Sequence, residues 1–191
     1  PGAAHQRPGR LAAATQTHHR LTWFRREPTD VRNVERMASE PVTTVDSGPH
    51  KVSRRVVVNA PAADVFALVS NPHRHPELDG SGTVRDTPVD GPETLTRGAR
   101  FSVGMKQYGV PYKITSTVTD FEPGRVVEWQ HPMGHRWRWE LESTSPTTTA
   151  VTETFDYSTL RVPKIMELIG YDKKNGKGIE GTLRALAARF A

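Results

Sequence analysis

The sequence predicts an α+β domain: a curved antiparallel sheet of six to seven strands wrapped around a long C-terminal helix, with two short helices after the first strand. Three observations carry that prediction. From Lys51 onward, short β-branched and aromatic runs recur between turn signals. Those runs alternate apolar with polar residues, so one face of each is buried. Near the C-terminus the period changes, and Ile179, Leu183, Leu186 and Phe190 fall on one helical stripe.

The 191 residues accommodate one ordinary domain. The hydrophobic share of 35% is low because residues 1–50 mix small residues, Pro, Arg and His without a helical or strand period. Such a segment buries too little apolar surface to offset its ordering entropy. It is expected to be a disordered or spurious extension, with Met37 as a candidate true start, and the domain itself is placed at 51–191.

Within the domain, residues 52–58 read as the first strand, stopped by Asn59-Ala60-Pro61. Residues 61–70 read as a short helix with Pro61 in its first turn and Val65, Phe66, Leu68 and Val69 on its apolar face. Asn71-Pro72 ends it, and residues 73–80 read as a second short helical turn or an ordered loop. Strands follow at 83–87, 99–107, 112–121, 126–131, 137–143 and 148–157. Turn signals separate them, among them Asp90-Gly91-Pro92, Glu122-Pro123-Gly124, Pro132-Met133-Gly134 and Ser145-Pro146. Short sequential connections imply an antiparallel meander. Helical character at Ile165, Met166, Leu168 and Ile169 is expected to break at Gly170 and to kink or break again at 175–178.

Period two puts Phe101, Val103 and Met105 on one face, with Tyr112, Ile114 and Val118, then Val127 and Trp129, then Trp137, Trp139 and Leu141, then Val151, Phe155 and Tyr157. Glu128, Arg136, Arg138, Glu140, Thr152, Thr154 and Asp156 take the wet face. Only the C-terminal helix is long enough to cover the apolar face, and its stripe is narrow and rich in Gly and Ala. That leaves little volume to fill a sheet bearing three tryptophans, so an internal apolar cavity is expected.

Several residues are candidates for chemistry. Glu153 lies between Val151 and Phe155 and so on the buried face, where a carboxyl acquires a raised pKa suited to acid–base work unless it is paired. Tyr108 and Tyr112 flank a hairpin turn and Tyr157 ends the last strand, where a phenol can orient a ligand carbonyl. His73, His75, Asp79, His131 and His135 are candidates for the cavity mouth. Glu153, Tyr112 and His75 form the candidate catalytic set. The expected ligand-binding wall is Phe101, Val103, Met105, Tyr108, Ile114, Trp129, Trp137, Trp139, Phe155, Tyr157, Met166 and Leu183.

Other functions lack their residues. No cysteine is present, which excludes thiolate metal sites and a Cys nucleophile, and the Pro-bounded His73-Arg74-His75 disfavours zinc, so no metal is expected. Residues 170–178 fail the spacing of a phosphate loop, no Gly-x-Ser-x-Gly elbow supplies a hydrolase nucleophile, and no cofactor is expected. The net charge of +5 is spread along the chain, 7 basic against 5 acidic residues in 1–50 and 19 against 16 in 51–191, which argues against nucleic acid. With no apolar run of membrane-spanning length and no export signal, the cytoplasm is the expected location. An exposed edge strand leaves monomer and homodimer both open.

The run Val56-Val57-Val58-Asn59-Ala60-Pro61-Ala62-Ala63-Asp64-Val65-Phe66-Ala67-Leu68-Val69-Ser70, followed by Asn71-Pro72 and later by Glu122-Pro123-Gly124-Arg125-Val126-Val127-Glu128-Trp129, resembles the START-like or SRPBCC superfamily over about 52–190. That superfamily includes the polyketide cyclase/dehydrase and lipid-transport proteins. The resemblance implies the helix-grip fold and a cofactor-free cavity for a hydrophobic small molecule such as a lipid, polyketide or isoprenoid. The alternative it allows is a cyclase, aromatase or dehydrase using cavity acid–base groups. A protein-interaction module with a collapsed interior is a third reading. Fold does not choose among them.

Overall fold

A computed structural model of the chain describes residues 41–191. The proposed start at Met37 and residues 1–40 lie outside the described residues. Seven strands form one open antiparallel sheet in the order β1-β2-β7-β6-β5-β4-β3. They are β1 (Thr43–Val45), β2 (Lys51–Val58), β3 (Arg100–Gln107), β4 (Val110–Glu122), β5 (Val126–Gln130), β6 (Arg136–Ser145) and β7 (Thr148–Asp156). Helices α1 (Ala62–Val69) and α2 (His75–Leu78) follow β2, and α3 (Lys164–Leu168) and α4 (Tyr171–Arg189) close the chain. This is the predicted helix-grip arrangement.

Two strand assignments differ from the expectation. Thr43–Val45 joins the sheet, pairing Thr44 with Arg54, although it precedes the boundary set at Lys51. Three residues are too few to show a period, and pairing with an exposed strand edge supplies what the local sequence lacks. Residues 83–87 form only an isolated bridge between Val84 and Met105. Bends and turns around them leave no run of partners along the edge of β3.

The core lies between the inner face of the sheet and α1 and α4. Val56, Val58, Val127, Val151 and Phe155 of the sheet meet Ile179, Leu183 and Leu186 of α4 and Val65 and Val69 of α1. On the outer face the network of Arg138 with Asp120 (2.9 Å), Glu128 (3.4 Å) and Glu140 (3.1 Å) satisfies charges across β4, β5 and β6. Glu128 is itself buried, as are Ser53 and Thr154, which share a 2.7 Å hydrogen bond. That face is therefore drier than alternation alone suggests, because long side chains on neighbouring strands shield the short ones.

Of the kink or break expected at 175–178, the break is absent: α4 is one continuous 19-residue helix. Gly176 and Gly178 are buried because the helix runs close against its neighbours. A Cβ on Gly176 would stand 3.1 Å from the Val52 side chain, and one on Gly181 would stand 2.9 Å from Gly80 Cα. Glycine costs helix stability of about 1 kcal/mol relative to Ala, and the close approach of α4 to β2 and to the 80–82 loop offsets that cost. The break at Gly170 does occur, with φ of 69° separating α3 from α4.

A methyl group on Gly80 would overlap the backbone of Gly181 and Thr182. Gly80→Ala is expected to lower unfolding stability by about 2 kcal/mol, as overpacking does. Urea unfolding with an unchanged m-value would register it, and an unchanged midpoint would contradict this packing.

Candidate functional site

A pocket of about 290 Å³ opens between the inner face of β3–β7, the first half of α4 and the loop that follows α2. Register sets its wall. Phe101 faces Ser116, Val103 faces Ile114 and Met105 faces Tyr112 across β3 and β4. Trp129 faces Trp137 across β5 and β6, and Trp139 faces Glu153 across β6 and β7. All of these side chains line the pocket.

Glu153 is 5% exposed, and its Oε2 has no hydrogen-bond partner. Burial raises its pKa well above the ordinary value, with the nearby Asp79 carboxylate adding to the effect. The neutral acid is thus the favoured form. Arg54 lies opposite Glu153 in the β2–β7 register, but its guanidinium donates to the Ser53 carbonyl at 2.9 Å and forms no ion pair with Glu153. Three further lining atoms, Trp139 Nε1, Asn175 Nδ2 and His135 Nδ1, are also buried without partners. An apolar pocket therefore carries one carboxyl, two N–H donors and one imidazole nitrogen that the protein leaves unsatisfied, each of which costs free energy when dry.

The histidines divide into two groups. His75 lines the pocket, stacked 5.1 Å from Trp129, with Nε2 donating to the Val69 carbonyl at 3.0 Å. Burial lowers its pKa to about 4. His131 and His135 close the β5–β6 hairpin with Nδ1 and Nε2 2.9 Å apart, and burial lowers them to about 3 and about 4. Both line the pocket. His73 instead contacts the Gly91 carbonyl on the surface, away from the pocket. No cluster of three or more metal-ligating His, Asp or Glu residues occurs among the described residues.

Of the fifteen residues in the candidate catalytic set and the expected ligand-binding wall, ten line the pocket: Glu153, Tyr112, His75, Phe101, Val103, Met105, Ile114, Trp129, Trp137 and Trp139. Five do not. Tyr108 is 89% exposed at the β3–β4 turn, where Lys174 sits over its ring. Phe155 is buried beneath Tyr157 and Trp137, filling the core. Tyr157 is buried with its hydroxyl donating to Glu167, and Met166 and Leu183 pack in the core. Alternation assigns a face, not a depth along it, which is why core and pocket wall look alike in sequence. Tyr171, Lys174, Asn175, Thr182 and Met133 were not identified in advance. Asn175 carried a misleading signal, since Asn-Gly reads as a helix stop.

Residues 49–191 match a family model described as polyketide cyclase/dehydrase and lipid transport. An uncharacterized protein of Mycobacterium tuberculosis is 54% identical over 154 residues, covering 78% of this chain and 68% of the relative. A solved structure described as a START superfamily protein from Mycobacterium smegmatis superposes with a TM-score of 0.57 at 18% identity, covering 73% of this chain and 96% of that one. A Polyketide_cyc-like protein from Corynebacterium glutamicum gives a TM-score of 0.51 at 22% identity, covering 74% and 91%. At such identities the structural likenesses show the fold alone. No helix among the described residues is long and apolar enough to cross a membrane.

A carboxyl whose folded pKa is raised stabilises the protein fully below its unfolded value of 4.5, and that stability is lost as pH rises above it. Glu153→Gln is therefore expected to melt higher than the parent near pH 8 and to converge with it near pH 4. Thermal unfolding across that range measures it, and equal melting temperatures at both ends would contradict a buried, unpaired Glu153.

Proposed function

The chain belongs to the polyketide cyclase/dehydrase and lipid transport family, and from that premise we propose that its pocket binds an apolar small molecule carrying one oxygen function. The supporting observation is the pairing of an apolar wall of Trp129, Trp137, Phe101, Val103 and Met105 with four buried polar groups that have no partner, Glu153 Oε2, Trp139 Nε1, Asn175 Nδ2 and His135 Nδ1. A dry, protonated Glu153 donates, as do the indole and the amide, so a ketone, ester or hydroxyl oxygen satisfies them. Apolar burial supplies the affinity at about 25 cal/mol per Å². The oxygen sets the orientation, because leaving buried donors unpaired is costly. The volume of about 290 Å³ suits a compact ring system or a short lipid, polyketide or isoprenoid chain rather than a diacyl lipid.

The probe for this reading is prodan, a naphthalene with a single ketone. Saturable blue-shifted emission is expected with the wild-type chain and with Glu153→Gln, which retains an N–H donor. Glu153→Leu and Trp139→Phe are expected to bind roughly tenfold more weakly, the loss of one hydrogen bond of ordinary strength. No saturable shift, or equal affinity in all four proteins, would sink the reading.

A second reading keeps the same pocket and adds chemistry. Glu153 then serves as the acid–base group of a cyclase-type or dehydrase-type reaction, with Tyr112 and His75 on the wall beside it. What favours it is the raised pKa of a buried carboxyl facing the pocket. It predicts that Glu153→Gln abolishes conversion of a bound polyketide-like ketone while leaving its affinity intact, followed by mass analysis of the extracted product.

A further inference from the structure

Every exposed large hydrophobic residue among the described residues lies at one end of the sheet. These are Tyr108 and Val110 at the β3–β4 turn, Tyr112 beside it, Met133 at the β5–β6 turn, and Val162, Ile165, Leu168 and Ile169 around α3. The antiparallel register brings the three segments together. The β3–β4 turn, the β5–β6 turn and the C-terminal end of β7 share one end of the sheet, and the connection to α4 leaves from there. Direct contacts tie them: Thr159 donates to the Gly134 carbonyl at 2.9 Å, and Lys174 of α4 lies over the Tyr108 ring. The pocket reaches the surface at this end through Tyr112, Met133 and Lys174.

Charge at this end is mostly positive. Lys106, Arg161, Lys164, Lys173 and Lys174 lie on these segments, all exposed, and none forms an ion pair among the described residues. The carboxylates there are paired or withdrawn: Glu167 accepts from His50 at 2.8 Å and from Tyr157 at 3.1 Å, Asp156 faces Lys51 at 3.5 Å, Asp46 accepts from the Gly48 N–H at 3.0 Å, and Asp172 Oδ1 is buried. Leu168 is 86% exposed and Ile169 63% exposed. Tyr108 holds a left-handed φ of 48°, which a tyrosine adopts at a cost, to stand at the tip of its turn.

We propose that this end of the domain docks on an anionic lipid surface. Apolar side chains on two turns and a short helix would enter the headgroup boundary, and the ring of lysines and arginine would meet the lipid phosphates. The patch is separate from the pocket wall apart from Tyr112, Met133 and Lys174, so the inference goes beyond the ligand reading and does not depend on what the pocket holds. It places the pocket opening against the bilayer, the source from which an apolar molecule enters without crossing water.

The test is co-sedimentation of the full chain with phosphatidylcholine vesicles containing about 30 mol % phosphatidylglycerol, an ample anionic fraction for polybasic attraction. The wild type is expected to sediment with these vesicles, less with pure phosphatidylcholine and less again in high salt. Leu168→Glu is expected to weaken binding roughly tenfold or more, the loss of one buried apolar side chain. Because Leu168 is exposed, circular dichroism and melting temperature should not change. Lys164→Gln with Lys173→Gln should weaken binding to anionic vesicles while sparing prodan affinity.

Three results would overturn the proposal: no sedimentation with anionic vesicles, undiminished binding by Leu168→Glu, or a dimer in analytical ultracentrifugation that the same substitution dissolves. The last would assign the patch to a second copy of the chain. A protein that takes up prodan in solution and ignores vesicles retains the pocket reading and loses this one.

Discussion

The close approach of α4 to β2 and to the 80–82 loop is the constraint on which the pocket depends. Gly176 and Gly181 bring the helix backbone near Val52 and Gly80. The helix therefore lies low over β2 and β7, and Ile179, Leu183 and Leu186 fill the core there. Farther along the sheet, where β3 to β6 curve away, the same helix presents Tyr171, Lys174, Asn175 and Thr182 to open space. The aromatic residues of those strands line that space. A packed core and a pocket coexist because one side of the helix is small and buried while the sheet is too curved for it to cover both halves.

The electrostatics of the pocket follow from that geometry. Period two places Glu153 inward between Val151 and Phe155, and register places Trp139 opposite it. Neither finds a partner, whereas the outer-face charges Arg138, Asp120, Glu128 and Glu140 are woven together. Among the described residues, four of the six buried side-chain atoms without a partner line the pocket. Buried neutral histidines extend the same logic, since His75, His131 and His135 present imidazoles without charge to the space beside the tryptophans.

The connections at one end of the sheet make a second kind of surface. In sequence their apolar residues are scattered over more than sixty positions from Tyr108 to Ile169, mixed with turn residues, and the basic residues look diffuse. Antiparallel pairing collects both into one place. Isolated exposed hydrophobics are ordinary on any protein, but their confinement to the rim of a pocket is informative.

The sequence by itself determined the α+β class, the strand meander, the two short helices, the long C-terminal helix and the family. Those follow from local periodicity, turn residues and a run such as residues 56–72, which short-range sterics and burial dictate. It also determined the inward face, and with it Glu153, His75 and eight other wall residues. Tertiary structure alone decided three things. It made α4 continuous through Asn175 and Gly176, because a glycine's helix penalty is local while the packing it permits is not. It separated pocket wall from core, sending Phe155, Tyr157, Met166 and Leu183 to the interior, because depth beneath a curved sheet is absent from a period. It also recruited Thr43–Val45 to the sheet and gathered the exposed apolar residues at one end. Each of these depends on which distant segment becomes a neighbour, and no local sequence window contains that.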